Sequence, residues 1–365
     1  MKNNDFEFNL SNFNKLHLVA KSLPNILLHN SKEIPINPLL EKIFVSRPYF
    51  AFSKIYQSGD ILISPVTQEQ PIGFESTPMS SAEASRHLAI LGSCALAINN
   101  EDRQYYLAVK ARKKVGIDTI NKNIFCSSSQ LYVLAMPFFV NEKEAAAITI
   151  LTNLEGDIIF NFMVGYQLFS EKLFNRVFKK HSKSTESVNY SPYREAFKFK
   201  DIVIGNNVLK ATLPIMKTEQ CAGHFDNFPI LPVGVLAYMA INTIGDFLNN
   251  ITQNTNLRYY LLKAEMDVMA PTYIDEESEL IVNYSGREGN QHNFSWVMNS
   301  MNSKNTLNTM SVSFFTSHEI FDTKIKTKIH HILIELDQYK KMYSELAYKL
   351  YQTQNSQTNN LNQNL

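Results

Sequence analysis

One histidine of this chain sits among residues suited to proton transfer: His224, within Cys221-Ala-Gly-His-Phe-Asp-Asn-Phe-Pro-Ile-Leu-Pro-Val-Gly-Val-Leu236. A neutral imidazole can accept a proton near neutral pH and pass it on, and a second group must complete the acid-base cycle. Glu83 and His87 stand at i and i+4, on one helix face, with Arg86 between them. Glu83 is the leading candidate acid and His87 the second. A glutamate in a first helical turn is also what the helix dipole alone favours. Cys221 and Cys94 have no spacing that pairs either with a histidine as a nucleophile. The remaining histidines form no metal-ligand pattern such as HExxH, and no glycine-rich phosphate loop is present. The residues therefore call for no metal and no cofactor.

The elements that must position these groups occur twice. Tyr105-Tyr-Leu-Ala-Val-Lys-Ala111 is echoed by Tyr259-Tyr-Leu-Leu-Lys-Ala264, about 154 residues later. Each copy follows an apolar segment read as a buried helix, Ser80 to Ile98 and Val233 to Leu248. Strand-like stretches precede each helix: Ala51 to Ile55 and Ile61 to Ile63 in the first copy, Ala196 to Lys200 and Val208 to Ile215 in the second. Long β-rich runs follow. Ala145 to Thr152 and Ile158 to Phe169 flank the turn Leu154 to Asp157, and Asn293 to Met298 and Thr306 to Thr316 flank Asn302 to Asn305. A long sheet wrapped round one central helix, made twice, is an α+β double hotdog.

The expected organisation is an N-terminal extension over 1–45, a first repeat over 46–178, a Ser-rich linker over 179–193 and a second repeat over 194–318. A C-terminal amphipathic helix follows over 319–352, with Leu333, Leu336, Met342 and Leu346 among its apolar positions, and then a Gln/Asn-rich disordered tail over 353–365. That helix packs on its own domain or forms a homodimer contact.

The 365 residues exceed the roughly 100 to 200 of one domain. With 35 Lys and Arg against 34 Asp and Glu, the net charge of +1 gives no long-range reason to expect nucleic acid or an anionic membrane as partner. Three cysteines without a CxxC pair suggest neither a disulfide framework nor a zinc site. No apolar run reaches the ~18 residues of a membrane span, and the polar N-terminus does not read as a signal peptide. A cytoplasmic protein is expected.

The segment around His224 resembles the active-site motif of 3-hydroxyacyl-[acyl-carrier-protein] dehydratases. Gly223, His224, Phe225, Pro229, Pro232, Gly234, Val235 and Leu236 match it, Asp226 replaces a proline and Val233 is inserted. The resemblance is close over about 15 residues and looser, through strand order, over 195–317. It implies a thioester of an acyl carrier protein or coenzyme A as substrate and His224 as the base that removes the C2 proton. Gly223, Phe225, Asp226, Pro232, Val233 and Gly234 would shape the substrate loop and the helix start that polarises the thioester carbonyl.

The family's helix carboxylate should fall at Met239, which is not an acid and is left as a substrate-binding position. In two-hotdog arrangements the acid comes from the other half's helix, where the 154-residue offset points to Ser85, hence the candidates Glu83 and His87 beside it. The first half has Gly73-Phe-Glu75 where the second has Gly223-His-Phe225, so one active site per chain is expected. Glu75 and Asp226, at equivalent loop positions, read as solvated carboxylates. A fatty-acid or polyketide dehydratase is the main expectation. A hotdog thioesterase or acyltransferase, or a non-catalytic acyl-binding scaffold, is the alternative.

Overall fold

The computed structural model describes residues 10–100, 102–114, 130–184, 188–225, 227–254 and 257–316. The expected C-terminal helix and tail, Cys126 and Asp226 lie outside the described residues.

The helices are α1 (Asn14–Lys21), α2 (Leu23–His29), α3 (Asn37–Ile43), α4 (Ser81–Ala97), α5 (Glu171–Val177) and α6 (Val233–Thr252). The first-half strands are β1 (Lys32–Ile34), β2 (Ile55–Ser58), β3 (Ile61–Val66), β4 (Gln104–Lys114), β5 (Leu131–Val140), β6 (Glu144–Asn153) and β7 (Ile158–Ser170). Those of the second half are β8 (Lys200–Ile204), β9 (Val208–Leu213), β10 (Tyr259–Val268), β11 (Ser278–Glu288), β12 (Gln291–Ser300) and β13 (Thr306–Thr316). They join in one sheet ordered β1-β2-β3-β5-β6-β7-β4-β10-β13-β12-β11-β9-β8. From the β4–β10 seam outward, the two halves repeat the same order, and α4 and α6 are their central helices. This is a double hotdog.

The echoed segments become β4 and β10, and they pair with each other antiparallel, Ala111 opposite Met266 and Arg112 opposite Glu265. Arg112 fastens the seam by donating to the Met266 carbonyl at 3.0 Å and pairing with Asp267 at 3.2 Å. Each strand carries one register shift, at Ala108/Lys110 in β4 and at Leu261/Lys263 in β10.

The two halves are covered differently. In β12, buried and partly buried residues alternate, so Phe294, Trp296 and Met298 face the core and their neighbours do not. In β6, nearly every residue is buried. The reason is the N-terminal extension: Phe13, Leu16, Ala20 and Leu23 pack on Ile61, Ile63, Ala146, Ile148 and Ile150, covering a face of the first half that α4 does not reach. Each large buried side chain contributes ~1.5–3 kcal/mol, enough in aggregate to dock a segment whose own strand, β1, is only three residues long.

Two expected strands are displaced. Residues 51–54 and 196–199 run as irregular chain, with strand structure beginning at Ile55 and Lys200. Phe50 and Phe52, like Phe197 and Phe199, alternate into the core as strand residues would, but they anchor the chain without pairing it. No helix among the described residues is long and apolar enough to cross a membrane.

Candidate functional site

The loop before α6 is held to the first half of the chain by its backbone. Val45 and His224 form an antiparallel bridge, and Ser46 N donates to the Gly223 carbonyl at 2.9 Å. Gly223 has φ +81°, and a Cβ there would lie 2.9 Å from Tyr49 N and closer still to the Ser46 carbonyl. Only glycine fits this approach. Phe225, 3% exposed, packs edge-on to Tyr105 and Phe174 with ring centroids 5.2 and 5.4 Å away. The loop is thereby pinned on both sides of His224.

His224 Nδ1 lies 3.0 Å from the Ile230 carbonyl. A carbonyl can only accept, so Nδ1 carries the proton and Nε2 keeps its lone pair. Burial pushes the imidazole pKa down to about 4, against the weaker opposing effect of the Ile230 carbonyl. His224 is thus in its base form throughout the neutral range. The Tyr49 ring stands edge-on to it at 4.7 Å.

His224 lies on the wall of a cavity of about 110 Å³ between the halves, walled also by Phe225, Val233 and Gly234 of the motif and by α4 and strands of both halves. Its polar residues are Tyr49, Ser81, Ser85, Arg86, Ser93, Tyr106, Lys113, Tyr166, Thr272 and Asn308, and no described residue of the wall is Asp or Glu. Most of the rest are apolar. The two central helices approach closely at Gly234, where a Cβ would meet Arg86 Cβ at 3.0 Å.

Glu83 and His87 are not on this wall. The wall residues of α4 are Ser81, Ala82, Ser85, Arg86, Ala89, Ile90 and Ser93, a stripe at helical spacing that turns Glu83 away. The Glu83 carboxylate accepts from Glu69 N at 2.5 Å and Gln70 N at 3.2 Å, and lies 3.6 Å from His87 Nε2. Its backbone N–H bonds Ser80 Oγ at 3.2 Å, the helix cap. Burial, with Arg86 next to it, holds the His87 pKa below the usual histidine range. Glu69, Glu83 and His87 offer ligand atoms within 4.8 Å of one another, the one such cluster among the described residues, but the cation already present is Arg86, whose Nη2 pairs with Glu69.

Gly223, Pro232 and Met239 are also off the wall. Gly223 shapes the loop, Pro232 caps α6, and Met239 is buried in the core at 1% exposure, while Ala237 and Ile241 face the cavity. Cys221 and Cys94 are buried and their thiols pushed up, Cys94 to about 12, which keeps them protonated. Glu75 is not a solvated loop carboxylate. It is 3% exposed and accepts from Ser81 N at 2.9 and 3.0 Å, filling the start of α4 where its counterpart loop in the second half carries His224.

No family model matches the chain, and no curated protein matches it in sequence. Similar solved structures include a conserved protein with a hot dog fold from Alicyclobacillus acidocaldarius (9% identity, 75% of this chain and 99% of that one, TM-score 0.46). Others are an acyl-CoA thioesterase II from Mycobacterium marinum (10%, 77% and 97%, 0.44) and the 12:0-ACP thioesterase from Umbellularia californica (8%, 74% and 100%, 0.44).

The cavity's charged wall residues, Arg86 and Lys113, carry almost no signal in the sequence. Arg86 stands between the candidates Glu83 and His87, and Lys113 lies in the basic run Arg112-Lys113-Lys114 that ends β4. Tyr193 sits at the end of the expected linker, yet it is fully buried, donates to the Ala222 carbonyl at 2.8 Å and covers Arg86, 5.1 Å from its ring centroid.

Proposed function

We propose that this chain cleaves an acyl thioester of coenzyme A or an acyl carrier protein, as a thioesterase or acyltransferase, with His224 as general base. The observation that carries this reading is the composition of the cavity wall: a histidine locked in its neutral form, with no carboxylic acid among the described wall residues. Dehydration needs an acid to protonate the departing 3-hydroxyl. Cleavage at the carbonyl needs a base for the incoming nucleophile and donors for the developing oxyanion.

In the hydrolytic form, water attacks the carbonyl carbon as its proton passes to His224 Nε2. The C–S bond then breaks, and the imidazolium returns that proton to the leaving thiolate. Val233 and Gly234 begin α6 and line the cavity, and N–H groups in a first turn have no acceptor within the helix, which suits them to the oxyanion. In transfer, an acceptor thiol or hydroxyl replaces the water.

The dehydratase reading is the second, favoured by the match around His224. The test is release of free thiol from a panel of saturated and 3-hydroxyacyl pantetheine thioesters. Thiol release that falls at least ~100-fold in His224→Ala supports cleavage with His224 as base. Formation of 2-enoyl products without thiol release supports dehydration, and binding without any turnover supports the scaffold alternative.

A further inference from the structure

Arg86 is an anomaly that the proposed chemistry does not use. Its side chain is 1% exposed, yet only Nη2 has a carboxylate partner, Glu69. Nε and Nη1 are buried with no hydrogen-bond partner among the described residues. Leaving such donors unmet in a folded interior is costly, more so on a charged group. The guanidinium lies 5.1 and 5.8 Å from the ring centroids of Tyr193 and Tyr49, which hold it by their faces and offer it no acceptor. Arg86 also lines the cavity, and the Tyr49 ring that it faces lies edge-on to His224 at 4.7 Å.

Lys113 lines the same cavity. Its Nζ donates to the Ser81 carbonyl at 3.0 Å and sits 3.5 Å over the Phe160 ring. The carboxylates beside these two residues, Glu69 and Glu75, are both off the wall. Burial pushes the Lys113 ammonium down to about 7, so Arg86 is the permanent positive charge of the cavity, with no carboxylate among the described wall residues. A saturated acyl chain would leave the Arg86 donors unmet. A carboxylate would accept from one of them in a charge-assisted bond, since Nε–H and Nη1–H lie on different edges of the guanidinium.

We infer that the cavity takes a short acyl group bearing a second, free carboxylate, the half-thioester of a dicarboxylic acid, with that carboxylate against Arg86. This rests on the proposed thioester-binding role of the same site. The size fits: about 110 Å³ is somewhat less than the ~150 Å³ that admits benzene, which points to an acyl group of about four or five carbons.

The test uses the full chain and two pantetheine analogues in which a methylene replaces the sulfur, one carrying a glutaryl and one a pentanoyl group. The two share length and arm, and neither can be cleaved. Titration calorimetry should show the wild type binding the glutaryl analogue at least ~10-fold tighter, the scale of one charge-assisted contact. Arg86→Gln should bring the ratio close to one while changing pentanoyl binding little. If Arg86→Gln does not fold, Arg86→Lys, which keeps the charge and loses the fork, should lower the ratio without abolishing it.

A wild type that prefers pentanoyl, or binds both equally, overturns the inference and leaves the thioester reading intact. So does a variant that weakens both analogues alike, which would place Arg86 against the pantetheine arm. Binding of neither analogue overturns both readings.

Discussion

The Ile230 carbonyl accepts the Nδ1 proton of His224 at 3.0 Å, and this bond, reaching six positions along the chain, fixes both the ring orientation and the tautomer of the one histidine among the described residues that faces the cavity. Burial lowers the His224 pKa from 6.5 to about 4. Below pH 6.5 the unfolded chain therefore binds a proton at this position that the folded chain refuses until pH approaches 4. Stability from this group is fully present above pH 6.5 and is lost as pH falls from there towards 4, by roughly 3 kcal/mol. Urea unfolding at pH 7 and pH 4.5 should show this loss in the wild type and a correspondingly smaller one in His224→Gln. Equal losses in the two proteins would mean that His224 is not held neutral.

Glu83 holds a loop. Its carboxylate accepts the N–H groups of Glu69 and Gln70, and so presents the Glu69 side chain to Arg86. Glu83→Gln should lower stability by ~1–3 kcal/mol, because an amide cannot accept from both N–H groups through both of its ends. Turnover at saturating substrate should fall less than ~3-fold, against ~100-fold or more for a lost general acid or base. A variant of normal stability and abolished turnover would restore Glu83 as the acid.

Arg86 and Glu69 form a nearly buried pair, 1% and 11% exposed. Removing either partner alone should cost ~3–5 kcal/mol, since a buried charge is left behind. The double variant Arg86→Met, Glu69→Leu should cost less than the two single changes added together, by more than ~1 kcal/mol. Additive losses in urea unfolding would show that the pair is not coupled.

The fold was legible because its signals are local and repeated. The Tyr-Tyr-Leu echo, two apolar helices at one offset and the turn-flanked β runs are properties of short segments, and each became the element expected. Their pairing across β4 and β10 follows from duplication. The site was legible only in part. His224, Phe225, Val233 and Gly234 belong to a contiguous motif, and all four face the cavity. The rest of the wall is set by helix phase: one step along α4 separates Ala82 and Arg86, which face the cavity, from Glu83 and His87, which do not. The start of a helix is uncertain by a residue or two from sequence, and each residue turns the face by 100°. Glu75 and Tyr193 lie in segments that read as solvated, and only the tertiary fold buries them.

Gly223→Ala tests how closely the loop must approach the first half. The left-handed φ of +81° costs an alanine ~1–2 kcal/mol, and its Cβ would collide with backbone at Ser46 and Tyr49. A loss of at least ~2 kcal/mol in stability is expected, with a fall in turnover as His224 shifts. Wild-type stability would mean that the loop is not docked on residues 45–49.

The central claim, that His224 activates a nucleophile against a thioester carbonyl, is tested most directly by turnover in water enriched in heavy oxygen, followed by mass spectrometry of the products. The account predicts a free acid carrying one heavy oxygen atom in its carboxyl group, formed at least ~100-fold more slowly by His224→Ala. A thioester product lighter by one water, or heavy-oxygen incorporation at an unchanged rate in His224→Ala, would contradict it.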